Sequence, residues 1–376
     1  MDSGWDVFCK VVDNFGDAGV TWRLARQLAH EHGLPVRLWI DDLNAFARLC
    51  PQADATADAQ RIQGVTIRHW PQTWVEASTA CVVIQAFGCT LPEPYETALA
   101  KRAAPALLIN LEYLSAEQWV GGCHGLPSLK SGGLRTFFFF PGFREDTGGL
   151  LREHNLLSAR DRFQGSAEAK QALLQRLGIH ASHEARLISL FAYENPGLAG
   201  WLEALASGPR LTHLLVPEGR VLADVQEWAG TPLSVGDTFV QGALTLQVLP
   251  FMPQDTYDEL LWACDFNAVR GEDSFVRAQW AARPMLWHIY TQDEYAHWEK
   301  LEAFLELYTQ DLPVAAAQAL STLWRAWNMD GDVGSAWLGL EPHWQVMAAH
   351  ARHWGDKLAN RPDLATALVQ FSRNSL

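Results

Sequence analysis

Short apolar runs alternate with segments of helical periodicity in two successive series, and this constrains the fold more than any other feature of the chain. The first run, WDVFCKVV at 5–12, ends at a loop from Asp13 to Gly19. Val20, Leu24 and Leu28 then recur at helical spacing up to Gly33, which predicts a helix stop. The unit returns with VRLWI at 36–40 before an Asp-Asp-Leu helix start, with CVVIQAF at 81–87, and with ALLIN at 106–110. Buried strands alternating with helices indicate a parallel sheet with both faces covered.

The pattern lapses from Thr136 to about Asp161, where TFFFFPGF leads into a double glycine and a charged stretch, and this places a domain boundary near 155. It resumes with RLISLFAY at 186–193, LTHLLV at 211–216, LTLQVLP at 244–250 and CDFNAV at 264–269. From Asp293 onward the chain reads as helices, with Pro313, Pro342 and Pro362 near their starts. With 376 residues and roughly 100–200 residues per domain, two domains are expected. The expected boundaries are 1–155, 156–345, and a helical tail at 346–376 that could pack back on the first domain. Two doubly wound, Rossmann-like α/β domains facing a central cleft describe a GT-B-like layout, with ligands at the carboxyl ends of the strands. Two-domain binding proteins and epimerases share that alternation, so the layout alone does not fix a function.

Composition narrows the partners. Lys plus Arg number 29 against 43 Asp plus Glu, a net charge of −14, which argues against broad nucleic-acid binding and favours a basic partner. The six cysteines show neither a CxxC pair nor metal-ligand spacing, and read as reduced structural thiols. The N-terminal residues lack the pattern of a secretory signal, and no run approaches a membrane span, so a cytoplasmic location is expected. His350 and His353 lie one turn apart without an acidic partner at HExxH spacing, which favours packing over metal binding.

Two loops could carry chemistry. The first holds Asp13 and Asp17 around Asn14, Phe15 and Gly16, with Gly19 following. It matches no phosphate-loop motif, but carboxylates at a helix start suit proton acceptance or cation holding. A helix cap and a turn residue are the plain alternative for the same pair. The second is Arg270-Gly-Glu272-Asp273-Ser274-Phe275, at a helix start that could bind a diphosphate, with Glu272 placed to take a hydroxyl. Here too a capping role for Asp273 or Ser274 competes. Phe191, Tyr193, the PFMPQD stretch with Phe251 and Gln254, and His288-Ile-Tyr290 fall at other strand ends, where aromatic rings and an amide could hold a base, or the rings could simply edge the core.

The blocks VDNFGDAGVTWRLARQL and RGEDSFVRAQWA, with LFAYENP, VLPFMPQDTYDELLWACDFNAV and RPMLWHIYTQDEYAHWEKLEAFL, resemble the bacterial protein-arginine rhamnosyltransferases of elongation factor P, the EarP family. The resemblance runs over essentially the whole chain. It implies a GT-B fold and inverting transfer of L-rhamnose from dTDP-β-L-rhamnose to an arginine in the N-terminal domain of elongation factor P. The resemblance further implies that this modification activates the factor for ribosomes stalled at polyproline. No metal or other cofactor is expected. The first domain then takes the acceptor and the second the donor. Asp13, Asp17 and Glu272 fall at catalytic positions. Asn14, Phe15, Gly16, Gly19, Phe191, Tyr193, Phe251, Gln254, Arg270, Asp273, Ser274 and Tyr290 fall at substrate-binding ones. A transferase with a glycan or small-molecule acceptor, and a non-enzymatic dTDP-sugar binding module, are the other readings of the same residues.

Overall fold

A computed structural model describes residues 4–12, 15–71, 73–74, 78–129, 134–291, 296–329 and 331–375. The chain divides into two compact units, Met1–His154 with Asn360–Leu376, and Asn155–Ala359.

The sheet of the first unit contains β1 (Trp5–Cys9), β2 (Val36–Ile40), β3 (Ala59–Ile62), β4 (Val65–His69), β5 (Val82–Ala86), β6 (Leu107–Leu111), β7 (Pro127–Leu129) and β8 (Arg135–Phe139). Its order is β3-β4-β2-β1-β5-β6-β8-β7, parallel apart from the edge strands β3 and β7. All of β1 is buried because both faces are covered. Val7 and Cys9 join a core with Val20, Leu24 and Leu28 of the helix Gly16–Glu31. Phe8 faces the other way, into a cluster with Trp39, Val83, Tyr95 and Leu108. Asp6, also fully buried, is held by Arg37 of the neighbouring strand through two bonds of 2.6 Å and by the Tyr95 hydroxyl. A buried carboxylate so paired is tolerated where a lone one would not be.

TFFF at 136–139, expected to lie where the pattern lapses, belongs to β8. It reads as a lapse because no helix follows it directly. The edge strands β3 and β7 are short and largely exposed, so they lack the apolar signature of the central strands.

The second unit contains β9 (Arg186–Leu190), β10 (Thr212–Pro217), β11 (Thr238–Gln241), β12 (Leu244–Leu249), β13 (Phe266–Arg270) and β14 (Met285–His288), in the order β11-β12-β10-β9-β13-β14. Only the edge strand β11 is antiparallel. Leaving aside the antiparallel edges, both sheets run third-second-first-fourth-fifth in chain order, with β8 as a sixth strand in the first, the doubly wound arrangement. Their switch points lie between β1 and β5 and between β9 and β13. These two doubly wound units make the GT-B-like α/β plan expected from the sequence.

The tail does not divide at 346. The helix Trp344–Ala359 stays with the second unit because its apolar stripe, Met347, Ala351, Trp354 and Leu358, is buried there, and Trp354 Nε1 donates to Gln279 Oε1 at 2.6 Å. The return to the first unit begins at Asn360. Leu364, Ala365, Leu368 and Val369 of the helix Leu364–Ser375 complete the first core, and Phe371 meets Phe137 and Phe139 edge-on. Gln27 clamps this return, donating to Arg152 O at 2.8 Å and to Asp363 Oδ1 at 2.9 Å.

Candidate functional site

The doubly wound rule directs attention to the carboxyl ends of β1 and β9 at the two switch points. In the first unit, β1 exits through Lys10–Val12 toward the helix Gly16–Glu31. Asp13 and Asn14 lie outside the described residues. Asp17 occupies the first helical turn, 4% exposed, and its Oδ2 accepts the Val12 N–H at 2.9 Å. It is therefore not the N-cap: Phe15 stands in that position, without a side-chain cap, beneath the Arg48 guanidinium at 5.1 Å. Gly16 opens the helix, and Gly19 N donates back to Phe15 O at 2.8 Å. Asp41, a residue the sequence reading did not single out, accepts the Val11 N–H at 2.9 Å. Two carboxylates from different elements thus fix the strand exit by its backbone. The thiol of Cys9, beside them at the end of β1, is pushed well up by burial, which makes it inert as a nucleophile.

In the second unit, the segment leaving β9 and the segment leaving β13 meet. The Arg270 guanidinium lies 4.6 Å from the Phe191 ring centroid and 4.7 Å from that of Tyr193. Arg270 is 6% exposed, and its Nη1 has no hydrogen-bond partner among the described residues. A buried cation with an unused donor is costly, and its place at a sheet switch point makes this strand end a candidate for an acceptor or an anion. Ser274 sets this residue in place: its hydroxyl accepts from Arg270 N at 3.1 Å and donates to Arg270 O. The hydroxyl is thereby committed to the strand end. The alternative of a cap by Asp273 or Ser274 is not realised: Glu272, half-buried, precedes the helix Asp273–Ala281, which has no side-chain cap.

Asp273 accepts from Gln254 Nε2 at 3.0 Å, joining the starts of the helices Gln254–Ala263 and Asp273–Ala281. A buried ion pair ties these helices further along, with Arg277 Nε to Asp258 Oδ1 at 2.9 Å and Nη2 to Oδ2 at 2.6 Å. Tyr290, 41% exposed, lies 5.7 Å from Tyr193 edge to face. Phe251 is half-buried just beyond the end of β12.

Three further groups border this cluster. Tyr257 packs 5.6 Å from Phe191, and its buried hydroxyl has no hydrogen-bond partner among the described residues. Burial, with the Asp273 carboxylate beside it, pushes that hydroxyl's pKa upward. His288 packs edge to face 5.2 Å from Tyr193. Arg220, paired with Glu194 at 2.8 Å, lies 5.5 Å over Tyr193. Tyr257 carried no sequence signal beyond helical spacing, and Arg220 reaches Tyr193 from the end of another strand, a proximity visible only in the fold.

A profile of the family described as the Elongation-Factor P (EF-P) rhamnosyltransferase EarP matches residues 5–373. The chain is 63% identical, over 377 aligned positions covering all of both chains, to a protein-arginine rhamnosyltransferase of Pseudomonas putida. To one of Neisseria meningitidis it is 37% identical, over 97% of this chain and 96% of the other. A solved structure reported as the structural basis for EarP-mediated arginine glycosylation of translation elongation factor EF-P superposes with a TM-score of 0.73, at 49% identity and covering 99% of each chain. Likeness of this extent, carried through both units and the returning helix, places the chain in the EarP family of EF-P rhamnosyltransferases, enzymes of the glycosyltransferase class.

Proposed function

We propose that this enzyme moves L-rhamnose from dTDP-β-L-rhamnose to one arginine side chain of elongation factor P, with inversion at the anomeric carbon and without a metal ion. The observation that carries the donor half is the buried Arg270 guanidinium, stacked on Phe191 and Tyr193, with its Nη1 unused. A planar cation between aromatic rings at a strand end suits a nucleoside diphosphate: the aromatic surface takes the base and the guanidinium takes the phosphate oxygens. In this reading Arg270 and the N-terminus of the helix Asp273–Ala281 stabilise the diphosphate as it leaves, the task a metal ion performs elsewhere. Gln254 and Asp273, locked to one another, shape the same pocket, and Glu272 takes a donor hydroxyl.

The acceptor is a guanidinium, delocalised and protonated to a pKa above about 12, so an ordinary carboxylate cannot deprotonate it beforehand. Asp13 and Asp17 grip it by charge-assisted hydrogen bonds and direct one nitrogen at the anomeric carbon. Asp17 takes the proton as the C–N bond forms and the bond to the diphosphate breaks. The negative net charge favours approach of a basic side chain. The modified factor would then act on ribosomes stalled at polyproline.

Intact-mass measurement of elongation factor P after incubation with the enzyme and dTDP-β-L-rhamnose, in chelator, tests the whole reading. One added deoxyhexose, lost when the acceptor arginine is replaced by lysine, is the expected result. Mass unchanged with wild-type acceptor, or gained only with added metal, overturns it.

A further inference from the structure

Arg270 and His288 are register partners on the adjacent parallel strands β13 and β14, each the last residue of its strand. Register partners in a parallel pair project to the same side, and both side chains pack on Tyr193, at 4.7 Å and 5.2 Å. The Trp327 ring closes another side of the imidazole at 6.0 Å. His288 is 9% exposed, and its Nδ1 has no hydrogen-bond partner among the described residues. Two neighbouring strand ends therefore each present a buried nitrogen without a partner beside the same aromatic ring. A role in packing alone would be met by an apolar ring and would leave no polar atom unsatisfied.

We propose that His288 is a second binding residue for the anionic part of the nucleotide-sugar, accepting a proton from solvent when the donor binds and hydrogen-bonding the diphosphate from Nδ1. The proposal rests on the donor reading of the Arg270 site given above. Before binding, burial and the neighbouring Arg270 charge hold the imidazole neutral, with its pKa pushed down to about 4. The charged groups facing it are Arg270 from β13, Glu194 from the segment after β9 and Arg220 from the segment after β10. The helix Val314–Asn328 presents the Trp327 ring to it, while Asn328 bonds to the backbone of β14 and Ile289. Tyr193, which touches the imidazole, and Tyr290, which reaches the cluster through Tyr193, are further titratable neighbours. A diphosphate carries about two negative charges through neutral pH; placed beside Arg270 it cancels the repulsion that keeps His288 neutral, and only the protonated ring donates from both nitrogens. The sign follows: binding releases no proton and takes one up, so affinity rises as the pH falls.

Titration calorimetry of dTDP-β-L-rhamnose with wild-type enzyme, His288→Gln and His288→Phe tests this, with melting curves confirming that each variant is folded. Wild-type binding is expected to be severalfold tighter at pH 6 than at pH 8, with heats at pH 7 that depend on the ionisation heat of the buffer, the mark of proton uptake. Both variants are expected to lose the pH slope and the buffer dependence while binding near the wild-type pH 8 affinity. Binding by the wild type with no slope, or an equal slope in a folded variant, overturns the role of His288 and leaves the donor reading standing. No binding by the wild type at any pH overturns the donor reading, and this proposal with it.

Discussion

Arg270 stacks on Phe191 at 4.6 Å, and the strand-to-helix turn that holds it there is closed by the Ser274 hydroxyl on the Arg270 backbone. Planarity is what this arrangement uses. Arg270→Lys keeps the charge but loses the stack and the fork of donors, so it is expected to weaken dTDP-β-L-rhamnose by about tenfold or more, measured by titration calorimetry. An unchanged affinity would show that the guanidinium does not meet the donor.

Ser274→Ala removes the tie between strand end and helix start without touching the guanidinium itself. The expected outcome is weaker donor binding together with a loss of about 1 kcal/mol in unfolding free energy, read from urea titration. If stability falls but donor affinity does not, Ser274 is structural only.

Asp17→Asn retains an oxygen for the Val12 N–H, so the strand exit should keep its shape while the proton acceptor is lost. Turnover on elongation factor P is expected to fall by about 10²–10⁴-fold with donor affinity unchanged. Equal loss in both measurements would move Asp17 out of the catalytic role.

The pH dependence of the donor-free enzyme tests His288 separately. Its pKa lies near 4 when folded against 6.5 for an ordinary histidine, so the unfolded chain binds more protons between these values. Stability therefore falls as pH drops from about 6.5 toward 4, by up to roughly 3 kcal/mol from this one group. His288→Gln should flatten that part of the acid limb in denaturant titrations. His124, His213 and His350, also lowered by burial, contribute to the rest of that limb.

Asp258→Ala leaves the Arg277 guanidinium buried without its carboxylate, and should cost about 3–5 kcal/mol, seen as a lower urea midpoint. Asp258→Leu combined with Arg277→Met should recover much of that loss. Recovery of donor affinity in the same double variant would show that the pair acts on the site only by holding two helices together.

The central strands were legible because local periodicity reports burial on both faces: VRLWI is β2 to the residue, and RLISL begins β9 where the apolar run begins. The edge strands β3, β7 and β11 were not, since they are short and exposed, and their pairing comes from neighbours distant in sequence. The cluster around Arg270 was half visible. Phe191, Tyr193 and Arg270 stood out as strand-end residues, whereas the use of the Ser274 hydroxyl within the turn, and the approach of Tyr257 and Arg220, needed coordinates.

By itself the sequence determined two doubly wound units and the family, because strand and helix periods and contiguous motifs are properties of near neighbours along the chain. The tertiary structure alone decided which strand ends lie side by side. That Arg270 and His288 share a register, that the helix Trp344–Ala359 stays with the second unit, and that the chain returns only at Asn360 all follow from long-range pairing and burial. These contacts join residues far apart in the chain, where no local pattern records the partner.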